Sequence, residues 1–280
     1  MISQNFEYSS PSTLSEALKL VAGGAKVLAG GMSLIPMMKL RLAAPEHLVD
    51  LSRVAGLNGI NEDSGSIRIG AVTTHYQVES SALLRAKCPL LAETAAHIGD
   101  VQVRNMGTIG GSIAHADPAA DYPAALLALE AKVKLVSQSG ERTLAIEDFF
   151  VDTLTTALEP GEIVREIVVP VDGAGTGTSY MKMLQPASGF AIVGVAARVR
   201  ASAGKVTFAR IGVTGLAGKA FRATQAEKAL AESGDAKKAA ALVAAGIEAN
   251  SDLHASAAYR TQMARVYAER AIRQALSRVA

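Results

Sequence analysis

Two short stretches hold the residues best suited to chemistry. Val27-Leu28-Ala29-Gly30-Gly31-Met32-Ser33-Leu34 and Thr108-Ile109-Gly110-Gly111-Ser112 each set a Gly-Gly pair beside hydroxyl side chains. Paired glycines open backbone angles that a Cβ forbids. A bend of that kind can aim several N–H groups into one concavity, which suits a phosphate. Thr108 and Ser112 add hydroxyl donors. The second stretch runs on through His115-Ala116-Asp117-Pro118 to Asp121-Tyr122-Pro123, bringing two carboxylates. One such pair alone reads equally well as an exposed turn before a helix. Two with the same grammar argue for a diphosphate gripped from both sides. Neither is a P-loop, because no Gly-Lys-Ser/Thr follows, and neither fits G-x-G-x-x-G after a strand. Lys39 and Arg41 follow the first loop closely, either as a solvated face or to steer a phosphate.

Other chemistries find little support. The five histidines, His47, His75, His97, His115 and His254, form no H-x-x-x-H or Cys-x-x-Cys pattern, so no protein-held metal site is expected. They read as surface or core positions. Nothing indicates a Ser-His-Asp or Cys-His arrangement. The single Cys88 excludes an internal disulfide and an iron–sulfur cluster held by this chain's own thiolates. It suits a reducing compartment. The net charge of +2 makes no case for nucleic acid or a membrane surface. No apolar run is long enough to span a bilayer. The stretch Met1-Ile2-Ser3-Gln4-Asn5-Phe6-Glu7 lacks the regions of a signal peptide, so a cytoplasmic location is expected.

The elements that must position the loops follow from local pattern. Thr13-Leu14-Ser15-Glu16 reads as a capping box, with Leu14, Ala17, Leu18 and Val21 on one helical face and Gly23-Gly24 as the stop. Lys26 to Ala29 and His47 to Leu51 read as strands, with Pro36 to Leu42 a loop or short helix between them. This makes a small β-α-β unit. Beyond it, Ser66 to Ala71, Val133 to Val136 and Glu162 to Val169 read as strands. Thr73 to Ser80, Pro89 to Ile98, Ala124 to Leu129 and Ile146 to Phe150 read as helices. Asp172-Gly173-Ala174-Gly175-Thr176-Gly177 is the best linker in the chain. After it come three strands, Ser179 to Leu184, Ala191 to Arg200 and Val206 to Val213, the last two joined by a hairpin at Ala203-Gly204. Helices over Thr224 to Glu232, Ala236 to Ala249 and Ala257 to Val279 close the chain. The expected class is α+β. A two-lobed domain spans 1–172, with a small β-α-β lobe over 1–56 and a larger α+β lobe over 57–172. A three-stranded antiparallel sheet with helices fills 178–280.

Ala29-Gly30-Gly31-Met32-Ser33-Leu34 with Pro36-Met37-Met38-Lys39, and Arg104-Asn105-Met106-Gly107-Thr108-Ile109-Gly110-Gly111, resemble the two FAD loops of one family. That family is the FAD-binding medium subunit of molybdenum hydroxylases, the xanthine dehydrogenase and carbon monoxide dehydrogenase medium chains. The likeness covers nearly the whole chain and is strongest to the carbon monoxide dehydrogenase group. Met32 departs from it, standing where that group often has His or Gln.

The resemblance implies FAD as cofactor, held by Val27 through Leu34 and by Thr108 through Ser112. It implies a contact from Asp121 to ribityl or ribose hydroxyls. The plain alternative is a carboxylate that steadies a helix N-terminus. Ile98 and Val164 match apolar or backbone contacts. Lys182 falls where the family has a Lys near the flavin ring; a cation there would stabilise the anionic reduced flavin and raise its potential. The plain alternative is an outward strand lysine. Tyr180 is a further candidate for packing near the ring. The implied complex has a large subunit with a molybdenum cofactor and a small subunit with two [2Fe–2S] clusters, as a dimer of heterotrimers. Electrons would leave the FAD for an external acceptor, the only implied route to a membrane. No catalytic residue of this chain is implied. A stand-alone FAD-dependent oxidoreductase of the same fold would need an acid or base over the flavin, and none is evident. A scaffold subunit that has lost FAD is opposed by intact Gly30, Gly31, Gly110 and Gly111.

Overall fold

The computed structural model describes residues 3–279; Met1 and Ile2 of the N-terminal stretch, and Ala280, lie outside the described residues. The small lobe runs β1 (Glu7–Ser9), α1 (Leu14–Ala22), β2 (Lys26–Leu28), α2 (Leu34–Lys39) and β3 (His47–Asp50). The β-α-β unit forms as expected. β1 adds a third strand, so the parallel sheet has the order β1-β3-β2. Glu7-Tyr8-Ser9 carries no apolar alternation, and only its pairing with β3 makes it a strand. Thr13 caps α1 by accepting from the Glu16 N–H at 3.3 Å. The helix buries Ala17, Leu18 and Val21 against Val49, Leu51 and Val54, and ends at Gly23.

The larger lobe follows as β4 (Ile60–Asp63), β5 (Ser66–Gly70), α3 (His75–Ser80), α4 (Ala82–Lys87), α5 (Pro89–Ala96), α6 (Val101–Met106), α7 (Ile109–His115) and α8 (Tyr122–Ala128). It continues through β6 (Lys132–Ser137), β7 (Gly140–Ala145), α9 (Ile146–Phe149), β8 (Phe150–Asp152), β9 (Thr155–Thr156) and β10 (Ile163–Pro170). Five strands make an antiparallel sheet in the order β4-β5-β10-β6-β7. Helices cover one face. The other is solvated and laced with charge: Glu166 lies 3.6 Å from Arg68 and 3.5 Å from Lys134. All seven residues of α8 are buried. A helix apolar on every side must sit between layers, and α8 does.

The layer on its far side is the C-terminal sheet. β11 (Thr176–Leu184), β12 (Ala191–Ser202) and β13 (Lys205–Thr214) form the expected antiparallel three, and β14 (Phe221–Arg222) adds two residues to the edge. Ala203 and Gly204 both take positive φ, 49° and 75°, the signature of a type I′ hairpin. α10 (Thr224–Ser233), α11 (Ala236–Ala241) and α12 (Ala257–Ser277) cover one face of this sheet. The expected helix from Ala236 breaks off at Ala241, and the chain turns through Gly246 at φ 75°. The other face packs on α8 so closely that a Cβ on Gly212 would overlap the Ala124 carbonyl oxygen. β12 is therefore buried on both faces from Ala191 to Val199.

The glycine-dense linker is pinned at its start. The Asp172 N–H donates to the Lys87 carbonyl at 2.8 Å, and Arg198 Nε donates to its carboxylate at 2.7 Å. The segment before α8 is tied across as well. Thr214 Oγ1 donates to the carbonyls of Pro118 and Ala120, at 2.9 and 2.7 Å.

Candidate cofactor-binding site

The first glycine loop links β2 to α2, and its backbone is unsatisfied. Among the described residues, the N–H groups of Ala29, Gly30, Gly31, Met32, Ser33 and Leu34 donate to no internal acceptor, while the Gly31 and Ser33 carbonyls accept from Ile35 and Met37. Gly30 is buried and its neighbours Ala29, Gly31, Ser33 and Leu34 are half-buried. Native chains leave few such donors unpaired. The last of them belong to the start of α2, where free N–H groups are usual; the half-buried run as a whole suits an anionic ligand. Each glycine has its own cause. Gly31 takes φ 73°, which L side chains rarely adopt. A Cβ on Gly30 would overlap the Met106 carbonyl oxygen and stand 2.7 Å from the Gly107 Cα. The two glycine stretches touch here, 76 residues apart in sequence.

The second stretch corrects the expectation of an open bend. Ile109 to Ser112 are the first residues of α7, and neither Gly110 nor Gly111 has positive φ. Most of its N–H groups are spent internally. Ile109 donates to Thr73 O at 3.0 Å, Gly110 to Ala71 O at 2.9 Å, Gly111 to Thr108 Oγ1 at 3.1 Å and Ser112 to Thr108 O at 2.9 Å. The Thr108 N–H alone among these residues donates to no internal acceptor. The glycines serve close packing. A Cβ on Gly110 would lie 2.6 Å from both Cβ and O of Ala71, and one on Gly111 would face Ala29 at 3.9 Å. Gly107, Thr108, Ile109 and Gly110 are buried, which excludes the exposed-turn alternative.

His75 holds this second loop and was not distinguishable in sequence from the other histidines. Its N–H donates to the Gly107 carbonyl at 2.9 Å, beside the Thr74–Thr108 bridge. Its ring packs along Gly107 and 5.3 Å from the Tyr122 ring, and its Nδ1 has no hydrogen-bond partner. Burial, helped by the Arg104 guanidinium, lowers its pKa from 6.5 to about 4, so the imidazole is neutral. The reciprocal capping box Thr74–Gln77 that starts α3 was the local signal available.

Asp121 and Lys182 lie 61 residues apart and meet. Lys182 Nζ is 2.9 Å from the Asp121 carboxylate and donates at 2.9 Å to the His97 carbonyl; the Tyr180 hydroxyl donates to Asp121 Oδ1 at 2.5 Å. The Lys182 side chain is only 2% exposed, so it is not an outward strand lysine. Asp121 stands at the N-terminus of α8 but makes no cap hydrogen bond. Burial pushes its carboxyl above the usual range, and Lys182 and Tyr180 oppose that. The Tyr180 ring is buried, with the His97 ring at its edge 5.7 Å away, so it is enclosed by protein. Ile98 is half-buried and its carbonyl accepts from Arg104 Nη1 at 3.1 Å. Val164 is buried in β10, on which α7 packs. Lys39 and Arg41 stay on the exposed surface.

A loop of N–H groups without internal acceptors, closed by a second glycine segment, is the geometry of a cofactor-carrying protein. The comparisons agree. Residues 4–172 match the family model described as the FAD binding domain in molybdopterin dehydrogenase, and residues 178–275 match the CO dehydrogenase flavoprotein C-terminal domain. The chain is 42% identical to the carbon monoxide dehydrogenase medium chain of Hydrogenophaga pseudoflava, over 100% of both chains. It is 36% identical to the glyceraldehyde dehydrogenase medium chain of Sulfolobus acidocaldarius, over 98% of this chain and 99% of that one. The solved structure of carbon monoxide dehydrogenase from Hydrogenophaga pseudoflava, in a form lacking the Mo-pyranopterin moiety, superposes with a TM-score of 0.97 at 43% identity, covering 100% of each chain. The chain belongs to the FAD-binding medium-subunit family of the molybdenum hydroxylases, and FAD is its cofactor. Among the described residues no helix is long and apolar enough to cross a membrane.

Proposed function

We infer that this chain is the FAD-carrying medium subunit of a molybdenum hydroxylase complex of the carbon monoxide dehydrogenase type. The observation that carries this reading is the run of six unpaired N–H groups from Ala29 to Leu34, closed by the contact of Gly30 with Met106 and Gly107. These donors would hold the FAD diphosphate, together with the Ser33 and Ser112 hydroxyls and the Thr108 N–H. Val27, Leu28 and Met32 would line the loop, and Ile109, Gly110 and Gly111 would form the opposing wall. Ile98 and Val164 would contribute backbone or apolar contacts, and the Asp121–Lys182 pair would face the flavin end. The FAD-binding unit corresponds to 1–172, and the C-terminal unit from 178 onward backs it through α8. Bound FAD supplies electron transfer, from the [2Fe–2S] clusters of a small subunit to an external acceptor. This chain positions the cofactor and excludes water around it. A large molybdenum-cofactor subunit oxidises the substrate, in a cytoplasmic dimer of heterotrimers.

The test is anaerobic stopped-flow at the flavin absorbance. The purified chain should bind FAD and be reduced by dithionite, but not by carbon monoxide, aldehydes or N-heterocycles. Adding both partner subunits should restore substrate-driven bleaching. Turnover of such a substrate by the single chain would replace this reading with a stand-alone oxidoreductase.

A further inference from the structure

We propose that Tyr180 is a positioning residue whose hydroxyl locks the Asp121 carboxylate so that Asp121 can hold the Lys182 ammonium against the cofactor site. The proposal rests on the reading that this pair faces bound FAD. Tyr180 and Lys182 are two apart on β11, so the strand's alternation sends both to the same face. That face meets α8, where Asp121 waits at the helix start. The cluster is shielded from bulk water: Tyr180 is 1% exposed, and the side chains of Asp121 and Lys182 are 5% and 2% exposed.

Packing alone does not account for a tyrosine here. A phenylalanine would fill the same space, and burying a hydroxyl is costly unless it is hydrogen-bonded. The backbone has also been cut to fit that hydroxyl. Gly194 stands opposite Lys182 on β12, and a Cβ there would overlap Tyr180 Oη. The hydroxyl uses this space to reach Asp121 at 2.5 Å.

Geometry gives the consequence. A carboxylate held by the ammonium alone can rotate or shift with it. Held also by the phenol, it becomes a fixed post. Lysine has three N–H donors; Asp121 and the His97 carbonyl take two of them. The third has a set direction only while its two partners are fixed. The titratable groups around Asp121 are Tyr180 and Lys182 on β11, His97 beyond α5, and Tyr122 on α8. Of these, only Tyr180 and Lys182 hydrogen-bond the carboxylate.

The experiment compares FAD-loaded wild-type chain with Tyr180→Phe and Lys182→Met. It reads the FAD dissociation constant, the two-electron flavin potential and the pH profile of that potential. Only the part of the lost contact that differs between the two flavin states reaches the potential. Tyr180→Phe should shift the ratio of affinities for oxidised and reduced FAD by up to about tenfold, which is about 30 mV for a two-electron couple. Its pH profile should move upward, because Asp121 loses a donor that favours its ionised form. Asp121→Asn keeps the shape of the side chain but removes the charge that Tyr180 and Lys182 share, and should shift the potential and abolish its Asp121-dependent pH profile if Tyr180→Phe does not fold. A purely structural Tyr180 would change the melting temperature and leave potential, affinity and pH profile at wild-type values, overturning the proposal. If Lys182→Met also leaves the potential unchanged, the placement of this pair at the flavin is what fails. A shift in Lys182→Met without one in Tyr180→Phe refutes the role of Tyr180 alone.

Discussion

His75 makes the second glycine loop sensitive to acid. Its imidazole is buried and neutral, with its pKa lowered from 6.5 to about 4 by burial and by Arg104. The unfolded chain takes up a proton below about pH 6.5, where the folded chain refuses it until about pH 4. Stability is therefore complete above 6.5 and is lost as pH falls towards 4. At about 1.36 kcal/mol per pH unit, this one side chain removes roughly 3 kcal/mol across that window. The Nδ1 has no internal acceptor, so the incoming proton gains no hydrogen bond in compensation. The same residue's N–H anchors Gly107, so loosening it should release FAD in the same range. His75→Gln removes the titration and keeps a polar side chain of similar reach. Urea unfolding of both proteins, followed by circular dichroism at steps from pH 7.5 to 4.5, reads the difference. The variant should be less stable at neutral pH from lost packing, yet lose roughly 2 to 3 kcal/mol less than wild type on acidification. Parallel pH dependences for the two proteins would refute the reasoning.

The two glycine pairs should respond differently to substitution. Gly30→Ala places a Cβ on the Met106 carbonyl and should abolish the flavin absorbance by forcing the loops apart, while α7, whose own docking on Ala71 is untouched, stays in place. Gly110→Val drives a branched side chain into the Ala71 backbone and should lower the melting temperature by several degrees as well as losing FAD, because α7 can no longer dock. Cys88 is fully buried and its thiol is pushed up to about 12 by burial and by Asp172, so iodoacetamide at pH 8 should leave it unmodified until denaturant is added. Labelling of the native chain at the rate of a free thiol would show that the α4–α5 junction opens.

Much of this architecture is legible in the order of the residues. Helix α1 announces itself by Thr13, its apolar stripe and Gly23-Gly24. The β12–β13 hairpin is written in two alternating strands and a turn that tolerates positive φ. Strands without such patterns escaped: β1, β8, β9 and β14 are two or three residues long and exist only through their partners, and β4 and β7 are mostly exposed and polar. The two glycine loops could be paired from their residues, but their division of labour could not. The first leaves its N–H groups free, whereas the second spends them on its own Thr108 and on Thr73 and Ala71, which lie 36 and 39 positions before their donors.

By itself the sequence determined the local backbone: where glycine permits a turn and where periodicity demands a helix. Those properties depend on neighbours within a few residues, so they survive without a fold. Tertiary structure decided which groups meet. It set Gly30 against Gly107, buried α8 between two sheets, and brought Lys182 and Tyr180 onto Asp121. Whether a lysine is a solvated charge or half of a buried pair depends on groups that approach from distant parts of the chain. Only packing brings them within hydrogen-bond range.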